Sequence, residues 1–309
     1  MSAYRFCRTD DIGLLVDALN RCWSPHFPDE PAVTPASFKR SIRDLQVWCS
    51  SCMVAFAGSD PIGVLIGAKR PTGTLVYKIA VHPDHLRQGH AHHLLASLSS
   101  KLAILGPPRM LTEVPETLAA ACRLFSASGY VQEALLTDYV VQREENDACE
   151  GAGMSACPER APQLGASRRD DHDGRFVIPV TVDDLAANGL LGEDHPQTCW
   201  ERSVETLTAR KDDIGGLAVA SDERIEAYLL YMRRGEDPHG TAEIVALRSF
   251  IDDGGARLKQ LLSRLRGQGV GTFRFPKVPS AEISTEFLNM LGFRSAGGHL
   301  LYAATARPE

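Results

Sequence analysis

A six-residue turn between an apolar stretch and a helical pattern has the residue types that suit an anion. It runs Leu86-Arg87-Gln88-Gly89-His90-Ala91. Gly89 lets a ligand approach closely where a Cβ would intrude, and Ala91 is also small. A helix that begins here would direct its unpaired amides and the positive end of its dipole at that ligand. The turn therefore predicts a site for a phosphate-bearing cofactor.

Histidines crowd this turn, at positions 82, 85, 90, 92 and 93. His92 and His93 are adjacent and point to different faces of a helix, whereas helical metal ligands are usually spaced i, i+4. The Cys49–Cys52 pair has CxxC spacing, but no second pair accompanies it. We expect no metal site, free thiols, and partly cationic histidines beside the phosphate.

The elements that would position the turn are a strand and a helix. Leu75–Val81 is apolar and β-branched, which predicts a buried strand, and leucines at 94, 95, 98 and 102 have helical spacing. Further strands are predicted as a hairpin before this unit and as strands over 109–114 and 130–142, with a helix over 118–128 between them.

The second half repeats this order of elements. Thr181-Val182-Asp183-Asp184 resembles the capped start at Thr9-Asp10-Asp11, and a hairpin, a strand, a helix, a second strand, a second helix and a closing strand follow. Between the halves, 144–174 is rich in Gly, Ala, Pro and acidic residues without apolar periodicity, which is typical of a flexible linker. The predicted domains are 1–143 and 175–309.

Composition excludes several classes of protein. The net charge of the 309 residues is −6, which argues against a nucleic-acid binder. No apolar run approaches a membrane span, and no apolar segment of a secretory signal follows Met1. We expect a cytoplasmic protein with no membrane partner, as a monomer or homodimer.

The strand, the turn and the helix together resemble the GNAT superfamily of acyl-CoA-dependent N-acyltransferases in a tandem arrangement. The signature stands here as Val81-His82-Pro83 followed by Arg87-Gln88-Gly89-His90-Ala91, with Leu86 where Arg or Gln is usual. The resemblance implies an α+β fold of two tandem GNAT-like domains, each a mixed, mostly antiparallel twisted sheet flanked by helices. It also implies acetyl-CoA as acyl donor, without a metal. The implied cofactor-binding residues are Ile79, Ala80, Val81, Leu86, Arg87, Gln88, Gly89, His90, Ala91, His92 and Phe125.

The run from Thr112 to Tyr130 is similar to that of the ribosomal-protein and protein N-terminal acetyltransferases of this superfamily. By that match Glu113 lies at the position of a general base, which would take a proton from an attacking amine. Phe125 replaces the Tyr that protonates the leaving thiolate, and Leu118 replaces an Asn. Tyr77 and Tyr139 are the candidate replacements for the missing acid.

The second half lacks the signature, because Asp252-Asp253-Gly254-Gly255 occupies the turn and carboxylates would repel phosphates. We read it as a degenerate copy in which Glu243 is a relic or a pocket residue. The predicted function is an N-acetyltransferase that acts on a small-molecule or peptide amine by direct attack. A non-catalytic acyl-CoA-binding or regulatory module and a scaffold without cofactor are the alternatives. A mycothiol-synthase-like small-molecule acetyltransferase shares the layout, but in that family the carboxy-terminal domain reacts.

Overall fold

The computed structural model describes residues 2–142, 176–191, 197–234 and 240–308. The predicted linker over 144–174, with Cys149 and Cys157, lies outside these residues. The chain forms two compact units. The first contains Met1–Leu136, Cys199–Ala209 and Gly298–Glu309, and the second contains Thr137–Thr198 and Arg210–Gly297.

The described part of the chain alternates strands and helices in the order that the sequence predicts, with an additional short strand at the start of each half and an additional short helix over Val204–Ala209. The strands are β1 Ser2–Phe6, β2 Met53–Ala57, β3 Asp60–Arg70, β4 Gly73–Val81, β5 Arg109–Pro115, β6 Val131–Gln142, β7 Phe176–Pro179, β8 Gly215–Ala220, β9 Ile225–Arg234, β10 Thr241–Ser249, β11 Thr272–Pro279 and β12 Arg294–Thr305. The helices are α1 Ile12–Cys22, α2 Pro35–Leu45, α3 His90–Leu105, α4 Ala119–Ala127, α5 Val182–Ala187, α6 Val204–Ala209, α7 Ala256–Arg266 and α8 Thr285–Met290.

Helix α2 begins where its sequence indicates. Thr34 and Ser37 form a reciprocal capping box, and Pro35 occupies the first helical position, where its missing N–H is not needed. The predicted start of α1 differs in detail. Asp11 precedes that helix but bonds the Arg5 guanidinium and the Arg8 amide instead of capping it.

The sheet of the first unit has the strand order β1-β2-β3-β4-β5-β12. Neighbouring strands are antiparallel except β4 and β5, which are parallel. Apolar residues cover both faces. One core cluster joins the sheet to α1 and α2, and a second joins it to α3 and α4. The site described below lies in this unit.

The last strand of the chain completes the first unit. His299–Thr305 of β12 pairs antiparallel with Pro115–Arg109 of β5. The predicted domains were continuous in sequence, whereas each unit contains segments from both halves. Local patterns do not specify which partner an apolar strand will find, and the sequence therefore indicates the strand but not this pairing.

The second unit repeats the arrangement with the strand order β7-β8-β9-β10-β11. Its β10 pairs with β11 in parallel over only three residues, Thr241–Glu243. A bulge interrupts the pairing of β9 with β10 between Ile244 and Ala246. Helix α7 packs its leucines into this core. None of the helices in the described ranges is both long and apolar enough to cross a membrane.

Candidate active site

The two parallel strands of the first unit separate soon after they meet. Pairing between β4 and β5 is confined to Thr74 with Met110 and Leu75 with Leu111. The Thr112 hydroxyl then donates to the Val76 carbonyl at 3.1 Å, and beyond it the strands enclose a cavity of about 520 Å³. The strands, the turn after β4 and the first turns of α3 and α4 line this cavity. It is a wedge with unpaired strand backbone on its wall.

A bulge in β4 changes which side chains face each side of the sheet. Ile66 pairs with Lys78 and Gly67 pairs with Val76, so the register of β4 against β3 shifts by one residue at Tyr77. Leu75, Tyr77 and Ala80 therefore contribute to the core with α1 and α2. A bulge leaves backbone groups outside the ladder and re-aims side chains. Here it directs the Tyr77 side chain to the face of the sheet that packs against α1 and α2.

The turn after β4 has the geometry of an anion cradle. Gly89 lies in the left-handed region at φ +83°, and Arg87 does so at φ +61°. The first helical hydrogen bond runs from the His93 amide to the Gly89 carbonyl at 3.0 Å. The amides of His90, Ala91 and His92 precede that bond and have no acceptor inside the helix. They are available to a phosphate at the positive end of the helix dipole.

His90 lies in this turn but is buried. Its Nδ1 hydrogen-bonds the Tyr4 hydroxyl at 2.6 Å, and its Nε2 has no partner among the described residues. Burial, together with the neighbouring His85 and His93, lowers the pKa of His90 below its ordinary value. This ring is therefore mainly neutral near pH 7, unlike the cationic role expected from the sequence.

Glu113 lies on the β5 side of the wedge, and a residue distant in sequence donates a hydrogen bond to its carboxylate. One oxygen, Oε1, accepts a hydrogen bond from the Trp200 backbone amide at 2.7 Å. Trp200 belongs to the Cys199–Ala209 segment of the same unit. Glu113 is the one carboxylate among the described residues that line the cavity.

Aromatic side chains form another part of the wall. Trp23 stacks on Phe27 with ring centroids 4.3 Å apart, and the Lys78 ammonium lies 4.0 Å from the centroid of Trp23. Glu30 accepts from both Lys78 and the Trp23 indole at 2.9 Å. His26 donates to the Val81 carbonyl at 2.8 Å. The segment after α1 is thereby fastened to the end of β4.

Phe125 reaches the cavity from α4. It is 2% exposed, with its ring centroid 5.1 Å from that of Tyr130 and 6.4 Å from that of Tyr302. Burial raises the pKa of the Tyr130 phenol, whose hydroxyl contacts the Met110 sulfur at 3.9 Å. Tyr130 and Tyr302 are not among the cavity-lining residues. A phenol therefore packs against Phe125 without replacing its missing hydroxyl in the wedge.

Most of the residues selected from the sequence come together here. The cavity is lined by Ile79, Ala80, Val81, Leu86, Arg87, Gly89, His90, Ala91, His92 and Phe125, and by Glu113 and Tyr77. Gln88 is exposed on the turn and does not line it. Tyr139 lies in the core of the second unit, where its hydroxyl bonds that of Thr285 at 2.8 Å. Of the two candidate acids, Tyr77 alone lines the wedge.

The sequence did not identify several residues of the site. Among them are Trp23, His26, Phe27, Lys78 and Trp200. The run Trp23-Ser24-Pro25-His26-Phe27 is rich in aromatic residues directly after a helix, which is a signal for a functional loop that could have been used. Trp200 gave no local signal, because it meets Glu113 across 87 residues of sequence.

The corresponding turn of the second unit is closed by its own side chain. Asp253 accepts hydrogen bonds from the amides of Gly255 and Arg257, each at 2.9 Å, and from the Arg257 guanidinium at 2.8 Å. Burial alone would raise the pKa of Asp253, but these hydrogen bonds hold it below the usual value. The carboxylate thus takes the place that an anion has available in the first unit.

Metal-ligating side chains do not converge in the described ranges: no group of three or more His, Cys, Asp or Glu residues there has the geometry to hold an ion. Cys49 and Cys52 are buried free thiols, and burial raises the pKa of both. Asp170, His172 and Asp173 are also of types that bind metals, but they lie outside the described residues.

Comparison with known proteins agrees with this architecture. Residues 14–130 match the profile of the Acetyltransferase (GNAT) family, which supports an acyl-transfer role. A search of curated proteins gave no match.

Solved structures match over the whole chain. A tandem GNAT protein from the clavulanic acid biosynthesis pathway is 15% identical, with 100% of both chains covered and a TM-score of 0.62. GCN5-related N-acetyltransferases from Anabaena variabilis and Sphaerobacter thermophilus are 11% and 13% identical, each with a TM-score of 0.60. They cover 99% of this chain and 73% and 96% of their own. The chain has the tandem GNAT superfamily fold, and the GNAT family match lies in its first half.

Proposed function

We propose that this protein is an acetyl-CoA-dependent N-acyltransferase whose first unit binds the acyl donor in the wedge between β4 and β5. The observation that carries the proposal is the combination of unpaired β4 backbone with unbonded helix amides at one cavity. Acetyl-CoA would supply an acetyl group activated as a thioester. Its pyrophosphate suits the amides of His90–His92, and its amide-bearing arm suits strand pairing along Ile79–Val81.

The residues that line the wedge belong to the cores on both faces of the sheet, which supports separate approaches for donor and acceptor. Phe125 comes from the face of α4, on the side of the cofactor turn. Glu113 is two residues from Leu111 and shares its face, which is also the face of Tyr77, α1 and α2. An acceptor amine that enters beside Trp23 and Phe27 would meet the Glu113 carboxylate.

In the proposed reaction the amine nitrogen attacks the thioester carbonyl carbon, a C–N bond forms and the C–S bond breaks. Glu113 takes the proton that the amine loses, directly or through one water. The sulfur leaves as a thiolate. A free thiol has a pKa of about 8.5, so this departure is feasible without Phe125 supplying a proton. Tyr77 is the phenol in the wedge that could protonate it.

The competing proposal is an acyl-CoA-binding module without turnover. Phe125 favours it, because this side chain has no proton to give at the position where the resemblance implies a tyrosine. Glu113 distinguishes the two proposals, because a binding module has no need of a carboxylate in the wedge.

The test is release of free CoA thiol from acetyl-CoA by the full chain across a panel of amines, with Glu113→Gln beside it. The panel includes small polyamines, amino acids, aromatic amines and peptides. Reactions without amine correct for the protein's own thiols, among which Cys122 is partly exposed. We expect amine-dependent release for at least one acceptor, and loss of at least about a hundredfold in kcat with Glu113→Gln.

Equal turnover by the Glu113→Gln variant would remove the base assignment. Binding of acetyl-CoA without release for any amine would favour the binding module instead. Absence of binding would contradict both.

A further inference from the structure

We propose that the Cys199–Ala209 segment, held by Arg70, is a positioning element for the catalytic carboxylate and acts through the backbone amide of Trp200. The proposal rests on the base role given to Glu113 above. It assigns a function to a part of the second half that no motif identifies. Trp200 and Arg70 are positioning residues here, since neither lines the cavity.

The contact with Glu113 is short and comes from a donor that cannot rotate. The Trp200 amide lies 2.7 Å from Glu113 Oε1. A backbone N–H has a fixed direction, so it fixes the orientation of the carboxylate that accepts it. A hydrogen bond to a charged group is also among the stronger ones. Loss of this donor would let the carboxylate leave the orientation in which it meets an amine.

Arg70 holds the segment from a buried position. It is 5% exposed, and its guanidinium donates to Ser203 Oγ at 2.6 Å and to Thr206 Oγ1 at 2.5 Å. It also donates to the Trp200 carbonyl at 3.3 Å and to Gln46 Oε1 at 2.7 Å. A buried cation is unfavourable without such partners. The several N–H groups of the guanidinium can reach the acceptors of Trp200, Ser203 and Thr206 together. Arg70 therefore holds the segment through two side-chain hydroxyls and one backbone carbonyl.

The Trp200 side chain adds a second attachment. Its indole donates to the Leu45 carbonyl at 2.8 Å, and the Arg70 guanidinium carbon lies 3.9 Å from the ring centroid. The residue is 5% exposed within the core that α1 and α2 share with the sheet. Trp200 thus has two separable parts: a ring that anchors the segment, and an amide that holds Glu113.

The geometry around Trp200 permits an experiment that removes the amide hydrogen alone. Trp200→Ala and Trp200→Pro both lose the ring, but only the proline variant loses the N–H. Trp200 begins a short 3-10 turn, and Cys199 before it is extended at φ −66°, ψ 150°, which a residue preceding proline can adopt. We expect kcat of Trp200→Pro to fall about tenfold below that of Trp200→Ala, with equal dissociation constants for acetyl-CoA.

A purely structural role of Trp200 would lower kcat of the two variants alike, and a general loss of structure would weaken acetyl-CoA binding as well as turnover. The positioning role instead lowers kcat of Trp200→Pro alone and leaves the dissociation constant unchanged. Equal kcat values for the two variants would overturn the proposal.

A second pair of variants keeps the proposal testable if Trp200→Pro does not fold. Arg70→Lys retains the charge but cannot hold four acceptors, and we expect lower kcat with unchanged affinity for acetyl-CoA. Arg109→Lys is the matched control, because Arg109 pairs with Glu133 on the exposed surface. Equal kcat in the two lysine variants would contradict the role of Arg70.

Failure of this inference differs from failure of the proposed function. If Glu113→Gln is inactive while the Trp200 pair behaves identically, Glu113 is the base and the segment does not position it. If Glu113→Gln retains full turnover, the proposed base itself is wrong.

Discussion

Gly89 offers a direct test of the cofactor turn, because another glycine of the same unit has the same φ angle and equal space for a Cβ. Gly89 and Gly129 both lie at φ +83°, and a Cβ built on either would meet no atom within 4 Å. Alanine at either position therefore clashes with nothing and is disfavoured only by the left-handed backbone. That conformation costs a residue with a Cβ about 1–2 kcal/mol.

We expect Gly129→Ala to lose about 1–2 kcal/mol of stability in urea unfolding, and Gly89→Ala to lose less because its turn relaxes out of the left-handed conformation. Their affinities should differ. The strain that Gly89→Ala avoids in the free protein returns when a phosphate restores the turn, so binding loses up to about 1–2 kcal/mol and the dissociation constant rises by a factor of up to about 5–30. Gly129 follows α4 and is not among the residues that line the wedge, so its variant should bind acetyl-CoA as the unchanged protein does.

Calorimetric titration of both variants with acetyl-CoA, at one salt concentration and pH, measures this difference. If both variants bind acetyl-CoA with the dissociation constant of the unchanged protein, the assignment of the turn as the phosphate site is refuted. Weaker binding by both would show that the effect arises from general destabilisation.

Three other predictions follow from the same contacts. Phe125→Tyr should raise kcat, by up to about tenfold in the thiol-release assay, if departure of the thiolate limits the rate; unchanged kcat would contradict this. Deletion of Gly298–Glu309 removes the partner of β5 and should abolish acetyl-CoA binding, with aggregation in size-exclusion chromatography; a monomeric variant that binds normally would refute the assignment of β12 to the first unit. Asp253→Asn should lower the stability of the second unit by about 1–3 kcal/mol at neutral pH. Because the folded-state pKa of Asp253 is lowered, its contribution is present above the unfolded-state pKa and disappears as pH falls through the folded value, so unfolding at about pH 7 and pH 3 should show a shrinking difference.

The parts of the fold that depend on local pattern were predictable. The apolar strand over Leu75–Val81, the glycine turn and the leucine-spaced helix occupy β4 and α3 nearly as predicted. Thr34 and Pro35 marked the start of α2 for the same reason, since capping is a short-range interaction. The short strands β1 and β7 were missed, because four or five residues carry little periodicity.

The parts that depend on distant contacts were not predictable. The bulge at Tyr77 depends on the register of β4 against β3. The hydrogen bond from Trp200 to Glu113, and the burial of Arg70 beneath it, depend on which segment covers one face of the sheet. Tyr139 was a candidate acid because its strand follows the site closely in sequence. In the structure this side chain packs into the core of the second unit.

The central claim is that one acyl-CoA site exists per chain and lies in the first unit. Calorimetric titration of the full chain with acetyl-CoA tests it most directly through the stoichiometry. We predict one molecule bound per chain, because the amides at the start of α3 have no acceptor inside the helix while Asp253 occupies those at the start of α7. Binding of two molecules per chain, or no binding, would contradict the account.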